Sequence, residues 1–159
     1  MKLHLSLSIL LFAATTLTIG CTSKPTVSLQ TPAGFAVLPE QTEYLYRAVN
    51  ASGVVLAVRA EDNKPFANLE FWADALDSQL QQASYKPDGK AEDVKSTSGI
   101  PGRRLRYIRE NEGRKYRYWV TVYVTESRVF CVEAGGDEER FKGKALESLQ
   151  RASDSAIFG

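Results

Sequence analysis

The chain has 159 residues, of which 43% are hydrophobic and 25% are charged, with 20 lysines and arginines against 19 aspartates and glutamates. This composition is that of an ordinary globular protein, and it excludes a collagen-like or intrinsically disordered chain. The formal net charge of +1 gives no global electrostatic support for nucleic-acid binding, so no nucleic-acid partner is expected.

The first twenty residues have the pattern of an export signal. Lys2 is followed by an apolar stretch, and no acidic residue occurs before Cys21. The apolar core is shorter than the roughly 20 residues that span a bilayer, so residues 1–20 are predicted to be a signal peptide. Its removal takes away Lys2 and His4, the chain's only histidine, and leaves a formally neutral mature chain.

The end of this segment resembles the lipobox of bacterial lipoproteins. Small and apolar residues at 17–20 precede Cys21, with Thr18 where that family usually has leucine. The resemblance implies that the thiol of Cys21 takes a diacylglycerol and that the freed amino group is then acylated, for example with palmitate. Several acyl chains make such an anchor effectively permanent.

Two alternatives remain for this segment: an ordinary secretory signal with an incidental cysteine, and an uncleaved membrane anchor. Thr22 follows the cysteine where an inner-membrane retention signal would have Asp. The lipoprotein resemblance therefore implies a lipid-anchored protein of the bacterial cell envelope, at the outer membrane facing the periplasm if the host has two membranes.

A polar stretch with two prolines follows the cysteine, and it is predicted to be a flexible tether. The lipidated cysteine and the tether together span residues 21–32. The remaining residues 33–159 have the usual size of one domain.

Several segments of this domain are rich in β-branched and aromatic residues and are predicted to be strands. The first pair, 44–49 and 53–60, is joined by a short turn. A second hairpin joins 103–109 to 115–125, and a further strand follows at 128–134. Consecutive hairpins of this kind predict an antiparallel meander.

Two helices are predicted to cover the sheet. The first has an apolar face with 3-4-4-3 spacing, formed by Leu69, Trp72, Leu76, Leu80 and Ala83. Its aromatic residues Phe71 and Trp72 are predicted to belong to the core rather than to a ligand site. The second repeats the pattern in Phe141, Ala145, Leu149 and Ala152, with Leu146 alongside and Asp137 as the predicted N-cap. Since Trp119 and Tyr123 lie opposite the apolar row of strand 115–125, both sheet faces should be at least partly covered. The predicted fold class is α+β, an antiparallel sheet meander flanked by two main helices.

The order of these elements and the aromatic spacing resemble the PsbP-like (DcrB-like) family. The residues that carry the resemblance are 32–35, 69–72, 99–105 and 116–118, and it extends over nearly the whole domain. The resemblance implies an α/β/α sandwich that is used mainly as a non-enzymatic binding or assembly module.

The residues that remain after signal removal exclude most catalysis. Without histidine, a Ser-His-Asp or Cys-His mechanism and most zinc or haem sites are impossible. Cys131 lies between apolar neighbours and is predicted to be an inert core thiol. We expect no enzyme, no catalytic residue, no cofactor and no metal.

Carboxylates are the remaining candidates for cation binding or carboxylate-only catalysis. Glu133 and residues 137–139 are clustered in sequence and could bind a hard cation. The favoured interpretation is that acidic residues at the start of the second helix stabilise it through the helix dipole.

The basic stretch 103–117 is the candidate binding surface. Its residues of interest, with one aromatic neighbour, are Arg104, Arg106, Tyr107, Arg117 and Trp119. Such a pattern can bind an anionic lipid, a glycan or a small ligand. The alternative interpretation is a solvated face that is neutralised by Glu110, Glu112 and acids of the helices.

These observations predict a membrane-anchored cell-envelope lipoprotein that acts as a non-enzymatic protein-binding or assembly module. The expected partners are the membrane, through the N-terminal lipid, and an envelope protein; the oligomeric state stays open. The alternative is a binder of a small ligand or of an anionic lipid or glycan through the hairpin 103–117.

Overall fold

The computed structural model describes residues 24–39 and 42–159. The predicted signal peptide and Cys21 lie outside these residues. The elements of the described part are β1 (Val27–Ser28), β2 (Phe35–Val37), β3 (Tyr46–Asn50), β4 (Val55–Asp62), α1 (Leu69–Gln82), β5 (Lys86–Pro87), β6 (Glu92–Lys95), β7 (Pro101–Asn111), β8 (Arg114–Val124), β9 (Arg128–Asp137), α2 (Lys144–Asp154) and β10 (Ile157–Phe158).

One large antiparallel sheet contains most of the strands. Its strand order is β2-β3-β4-β9-β8-β7-β5, and β6 also pairs with β7. The predicted hairpins β3-β4 and β7-β8, and the following strand β9, are present. The sheet consists of two consecutive meanders that join where β4 pairs with β9.

Local turn chemistry fixes the two predicted hairpins. Glu112 and Gly113 both have positive φ, 50° and 73°, which matches the right-handed strand twist in a two-residue hairpin turn. In the other hairpin, the side chain of Asn50 accepts hydrogen bonds from the backbone N–H groups of Ser52 and Val54, both at 2.9 Å.

The stretch predicted as a tether contributes to the fold. β1 lies within it and pairs with β10. Pro32 is also buried. The folded part of the chain therefore begins before residue 33, because the apolar side chains of Val27 and Leu29 pack against the core and bring the backbone with them.

Helix α1 covers one face of the sheet. Its N-cap is Asn68, whose side chain accepts from the N–H of Phe71 at 3.0 Å. Four of the five residues predicted for its apolar face, Leu69, Trp72, Leu76 and Leu80, pack against a core that includes Leu105, Val120 and Val122. The prediction for Ala83 is wrong, because the helix ends at Gln82 and Ala83 is its exposed C-cap.

Helix α2 covers the opposite face. Leu149 and Ala152 pack with Trp119 and Phe130, which are 3% and 2% exposed. With α1 on one face and α2 on the other, the α+β sandwich is confirmed.

The predicted start of the second helix is wrong. Asp137 is the last residue of β9, pairs with Tyr116 across the sheet, and accepts from the N–H of Glu139 at 3.0 Å. The strand continues through Gly136 because the long partner β8 offers it further backbone hydrogen bonds. The N-cap of α2 is Gly143, and Phe141 is buried just before the helix.

Candidate functional site

The five candidate binding residues of the hairpin do not share one surface. β7 and β8 pair with Arg106 opposite Trp119 and Tyr107 opposite Tyr118. Since side chains alternate along a strand, Tyr107 lies on the α1 face and the other four lie on the α2 face. Arg104, Tyr107 and Trp119 are buried, at 2%, 1% and 3% exposure.

The side chain of Arg104 contacts three residues of its own chain. Its guanidinium forms an ion pair with Asp154 at the end of α2 and donates to Thr121 Oγ1 at 3.1 Å. It also lies over the Trp119 ring, 4.9 Å from the centroid. These contacts link the hairpin to α2.

The other candidate residues also have internal partners. Arg106 pairs with Glu92. Arg117 lies between Asp88 and Glu138, at 2.9 and 3.1 Å.

Tyr107 completes this set on the α1 face. Its hydroxyl donates to Asp77 Oδ1 at 2.6 Å, and burial together with this bond raises the pKa of the phenol. At these five positions the geometry favours the neutralised interpretation of the basic hairpin. The acids that neutralise the three arginines come from α2, β6 and loops rather than from Glu110 and Glu112.

The α1 face of the sheet is covered only in part. Helix α1 packs on β7 and β8. Beyond the helix, the same face of β4 and β9 carries Arg59, Cys131 and Glu133, and it opens into two neighbouring hollows. We call this region of β3, β4 and β9 the open face.

The larger hollow, the α1 cavity, has a volume of about 310 Å³ and lies between α1 and the open face. Its apolar lining comes mostly from the helix and from the sheet floor. The lining residues are Trp72, Ala75, Leu76, Gln79, Val122, Val129, Cys131, Arg59 and Glu61. Its size is at the lower end of the range of ligand pockets, roughly 300–1,000 Å³.

An ion pair separates the two hollows. Arg59 Nε donates to Glu133 Oε1 at 2.6 Å. Burial acts to lower the pKa of Arg59, but the charge of Glu133 and its hydrogen bond, together with smaller contributions from Tyr118 and Cys131, raise the pKa overall. Burial and the same carboxylate raise the pKa of Tyr118. Beyond the pair, a hollow of about 230 Å³ is lined by Tyr118, Arg47 and Tyr44, among others.

Cys131 is a half-buried thiol in the α1 cavity. Burial, with the nearby charge of Glu133, raises its pKa to about 12. The thiolate is the nucleophile and is essentially absent at neutral pH. The cavity therefore presents Cys131 as a small apolar group, as the sequence predicts.

The side chain of Asn63 fixes the position of Trp72, which forms part of the cavity wall. Its Oδ1 accepts from Trp72 Nε1 at 2.7 Å and from the Ala67 N–H at 3.0 Å. Its Nδ2 donates to the carbonyls of Ala67 and Thr125 at 3.2 and 3.0 Å. Asn63 is 4% exposed, so the start of α1 is fixed to the turn between β8 and β9.

Two aromatic side chains are exposed at the start of α1, and one of them, Phe71, borders the cavity through its contact with Trp72. Phe71 is 49% exposed and makes an edge contact with Trp72, with ring centroids 5.5 Å apart. Phe66, three residues before the helix, is 76% exposed. We call Phe66 and Phe71 the aromatic patch. Aromatic residues are enriched in the buried parts of protein interfaces.

Within residues 24–39 and 42–159, no group of three or more Cys, His, Asp or Glu side chains is placed to hold a metal. Glu133 is paired with Arg59 and Glu138 with Arg117, so these two members of the predicted acidic cluster are already engaged. No helix in the same part of the chain is long and apolar enough to cross a membrane.

The sequence reasoning did not identify this site. Trp72 packs in the core as predicted, and one side of it also lines the α1 cavity. The same prediction for Phe71 is wrong, because this residue is 49% exposed. Arg59 and Cys131 are adjacent only because β4 pairs with β9. The sequence contains one signal for the site. Phe66 and Phe71 are large aromatic residues next to a helix whose apolar face is formed by other residues.

Comparison with solved structures supports the fold. The chain is similar to LpqN of Mycobacterium tuberculosis, a protein involved in cell envelope biogenesis, with 12% identity, a TM-score of 0.64, and coverage of 88% of this chain and 87% of that one. It is also similar to the cyanobacterial PsbP of Synechocystis, with 12% identity, a TM-score of 0.53, and coverage of 90% and 96%.

A third similar structure is a Pseudomonas aeruginosa protein of unknown function, with 13% identity, a TM-score of 0.54, and coverage of 87% and 86%. No family model and no curated protein matches the chain. The structural likenesses show a PsbP-like fold.

Proposed function

We propose that this chain is a membrane-anchored cell-envelope lipoprotein whose domain binds a protein partner or supports assembly of an envelope complex, without catalysis. The observation that carries this proposal is the open α1 cavity next to the aromatic patch. Phe66 and Phe71 are two of four large apolar side chains that are exposed in the described residues. Exposed aromatic groups beside a pocket are typical anchors of protein interfaces.

Two further observations support the proposal. The lipobox resemblance at Cys21 supports a location in the envelope. The similar fold of LpqN, itself involved in cell envelope biogenesis, agrees with such a role.

Binding of an anionic lipid or glycan through the hairpin 103–117 is less well supported. Arg104, Arg106 and Arg117 each already have a carboxylate partner. An anionic ligand would have to displace these partners, and Arg104 would have to leave the core.

The test is site-specific photocrosslinking in living cells of the native host. A photoreactive phenylalanine analogue replaces Phe71, and the matched control places it at Ile157, which is also about half exposed but lies in β10. We expect one discrete crosslinked protein from position 71 and none from position 157, identified by mass spectrometry of the isolated envelope. Absence of any adduct from position 71 and from a second probe at Phe66 would contradict the proposal.

A further inference from the structure

The charges around the α1 cavity select between possible occupants. Arg59 is the cationic group of the lining, and its charge is compensated by Glu133. Glu61 is exposed at the rim and makes no ion pair with any residue that the structure describes. The rim therefore carries an uncompensated negative charge, which disfavours an anionic ligand and favours a cation.

Helix α1 adds to this negative field. It carries three acidic side chains, Glu70, Asp74 and Asp77, and no lysine or arginine. These side chains are not part of the cavity lining, but their charge steers an approaching cationic surface toward the helix.

The shape of the surface favours a protein segment over a free small molecule. The α1 cavity has room for about one large apolar side chain and part of its neighbour. The aromatic patch continues outside it through Phe71, whose ring touches the cavity residue Trp72. A small ligand inside the cavity would leave this patch exposed, whereas a peptide chain crossing the rim would cover it.

We infer that the α1 cavity takes an apolar side chain from a basic segment of the partner protein, with a lysine or arginine of that segment beside Glu61. This inference rests on the proposed protein-binding function and specifies the site and the chemistry of the partner.

The probes are three synthetic six-residue peptides that lack tryptophan. One has a Leu-Phe pair between two pairs of lysines, the second replaces the lysines with glutamates, and the third replaces Leu-Phe with Ser-Ser. The full-length protein is held in uncharged phosphatidylcholine nanodiscs, with empty nanodiscs as the blank. Isothermal titration calorimetry measures the affinity of every variant, and in the original chain the emission of Trp72, the tryptophan at the cavity, shows where the peptide binds.

Two variants test the site, each with a matched control. Ala75→Trp narrows the cavity from its exposed wall, and Gln81→Trp places the same side chain elsewhere on α1, outside the lining. Glu61→Lys reverses the rim charge, and Glu147→Lys makes the same change on α2. We expect the basic apolar peptide to bind at least tenfold more tightly than the other two. Ala75→Trp and Glu61→Lys should each weaken the binding of this peptide roughly tenfold. The affinity of both control variants should stay within about twofold of that of the original chain.

Three results would overturn the inference: equal binding of the acidic peptide, equal binding of the Ser-Ser peptide, or unchanged affinity in both Ala75→Trp and Glu61→Lys. The same two variants in the photocrosslinking experiment separate this failure from failure of the proposed function. A crosslinked partner that persists in both variants overturns the cavity assignment while the protein-binding function stands. Loss of the adduct in both variants but in neither control supports the inference.

Discussion

At the scale of single residues, Arg104 shows how a charge in the core can join two layers. Its side chain is 2% exposed, while that of its partner Asp154 is 43% exposed. The guanidinium thus has one charged partner, at the surface end of α2, together with Thr121 Oγ1 and the Trp119 ring. Removing that partner would leave a cation in the core without compensation.

Asp154→Ala should therefore destabilise the fold by about 2 kcal/mol, less than the roughly 3–5 kcal/mol typical of a fully buried pair because Asp154 is partly solvated. The matched control is Asp93→Ala, which removes the partner of Arg103 at a site where the carboxylate is 78% exposed. A surface pair of this kind is worth less than about 1 kcal/mol. Urea unfolding of the two variants measures both values, and equal costs would contradict the assigned role of Arg104.

Cys131 gives a second prediction at this scale. The pKa of its thiol is raised from the ordinary 9.0 to about 12, mainly by burial, so its thiolate fraction at pH 7 is roughly a thousandfold lower than that of an exposed thiol. Maleimide should label Cys131 slowly in the native protein and rapidly in urea. Mass spectrometry of the peptide that contains Cys131 follows the reaction separately from Cys21, and fast native labelling would contradict the assignment.

The same shift sets the direction of a pH effect. Between about pH 9 and 12 the unfolded chain loses the Cys131 proton while the folded chain keeps it. The free energy of unfolding should therefore be unaffected by this thiol below pH 9 and should fall as the pH rises above it. Cys131→Ala should remove this part of the alkaline loss, which unfolding titrations at pH 8 and pH 10.5 would detect.

At the scale of elements, the position of α1 decides whether a cavity exists. The helix contacts β7 and β8 and leaves the facing surface of β4 and β9 open. Asn63 fixes the beginning of the helix through four hydrogen bonds to three residues. The cavity is thus bordered by an element whose location depends on one buried amide.

Asn63→Ala should cost about 3 kcal/mol, because it leaves several buried donors and acceptors without partners. Asn68→Ala, five residues further on, removes only the N-cap bond to Phe71 and should cost about 1 kcal/mol. Urea unfolding gives both values. Asn63→Ala should also shift the emission of Trp72 to longer wavelength in the native state, and an unchanged spectrum would show that Asn63 does not hold the cavity wall.

Elements with strong local periodicity were predictable from the sequence. The spacing of Leu69, Trp72, Leu76 and Leu80 indicated the buried face of α1, and the two-residue alternation of strand 115–125 indicated that both sheet faces are covered. The start of α2 was not predictable. Aspartate is a residue type favoured at helix N-caps, but Asp137 instead pairs in the sheet with Tyr116, which is distant in sequence. The open face was not predictable either, because it depends on how many strands α1 covers. No local sequence pattern specifies that number.

The hairpin 103–117 shows a further limit at this scale. Its arginines are a clear pattern in sequence, but their partners Asp88, Glu92 and Asp154 lie on other elements. A charge pattern alone does not distinguish a binding surface from a set of internal ion pairs.

At the scale of the whole molecule, the anchor and the open face belong to opposite layers. β1 pairs with β10, and Val27 and Phe158 pack against the α2-side core. Val27 lies six positions after Cys21, and an extended chain covers at most about 3.6 Å per residue, so a lipid on Cys21 would lie within about 22 Å of β1. The proposed anchor would therefore hold the α2 side near the membrane and leave the α1 cavity accessible to a partner.

This arrangement depends on Cys21, and Cys21→Ser tests it, with Cys131→Ser as the control that removes the chain's other cysteine. We expect the original chain and Cys131→Ser to incorporate radiolabelled palmitate and to sediment with membranes after a high-salt wash. Cys21→Ser should lose the label, because the thioether to diacylglycerol forms on this thiol and amino-terminal acylation follows it. An incidental cysteine predicts a salt-soluble, unlabelled chain in all three proteins, whereas an uncleaved anchor predicts three unlabelled chains that stay in the membrane at full length. Either of these results would contradict the lipoprotein assignment. The first would also contradict the membrane attachment that is part of the proposed function.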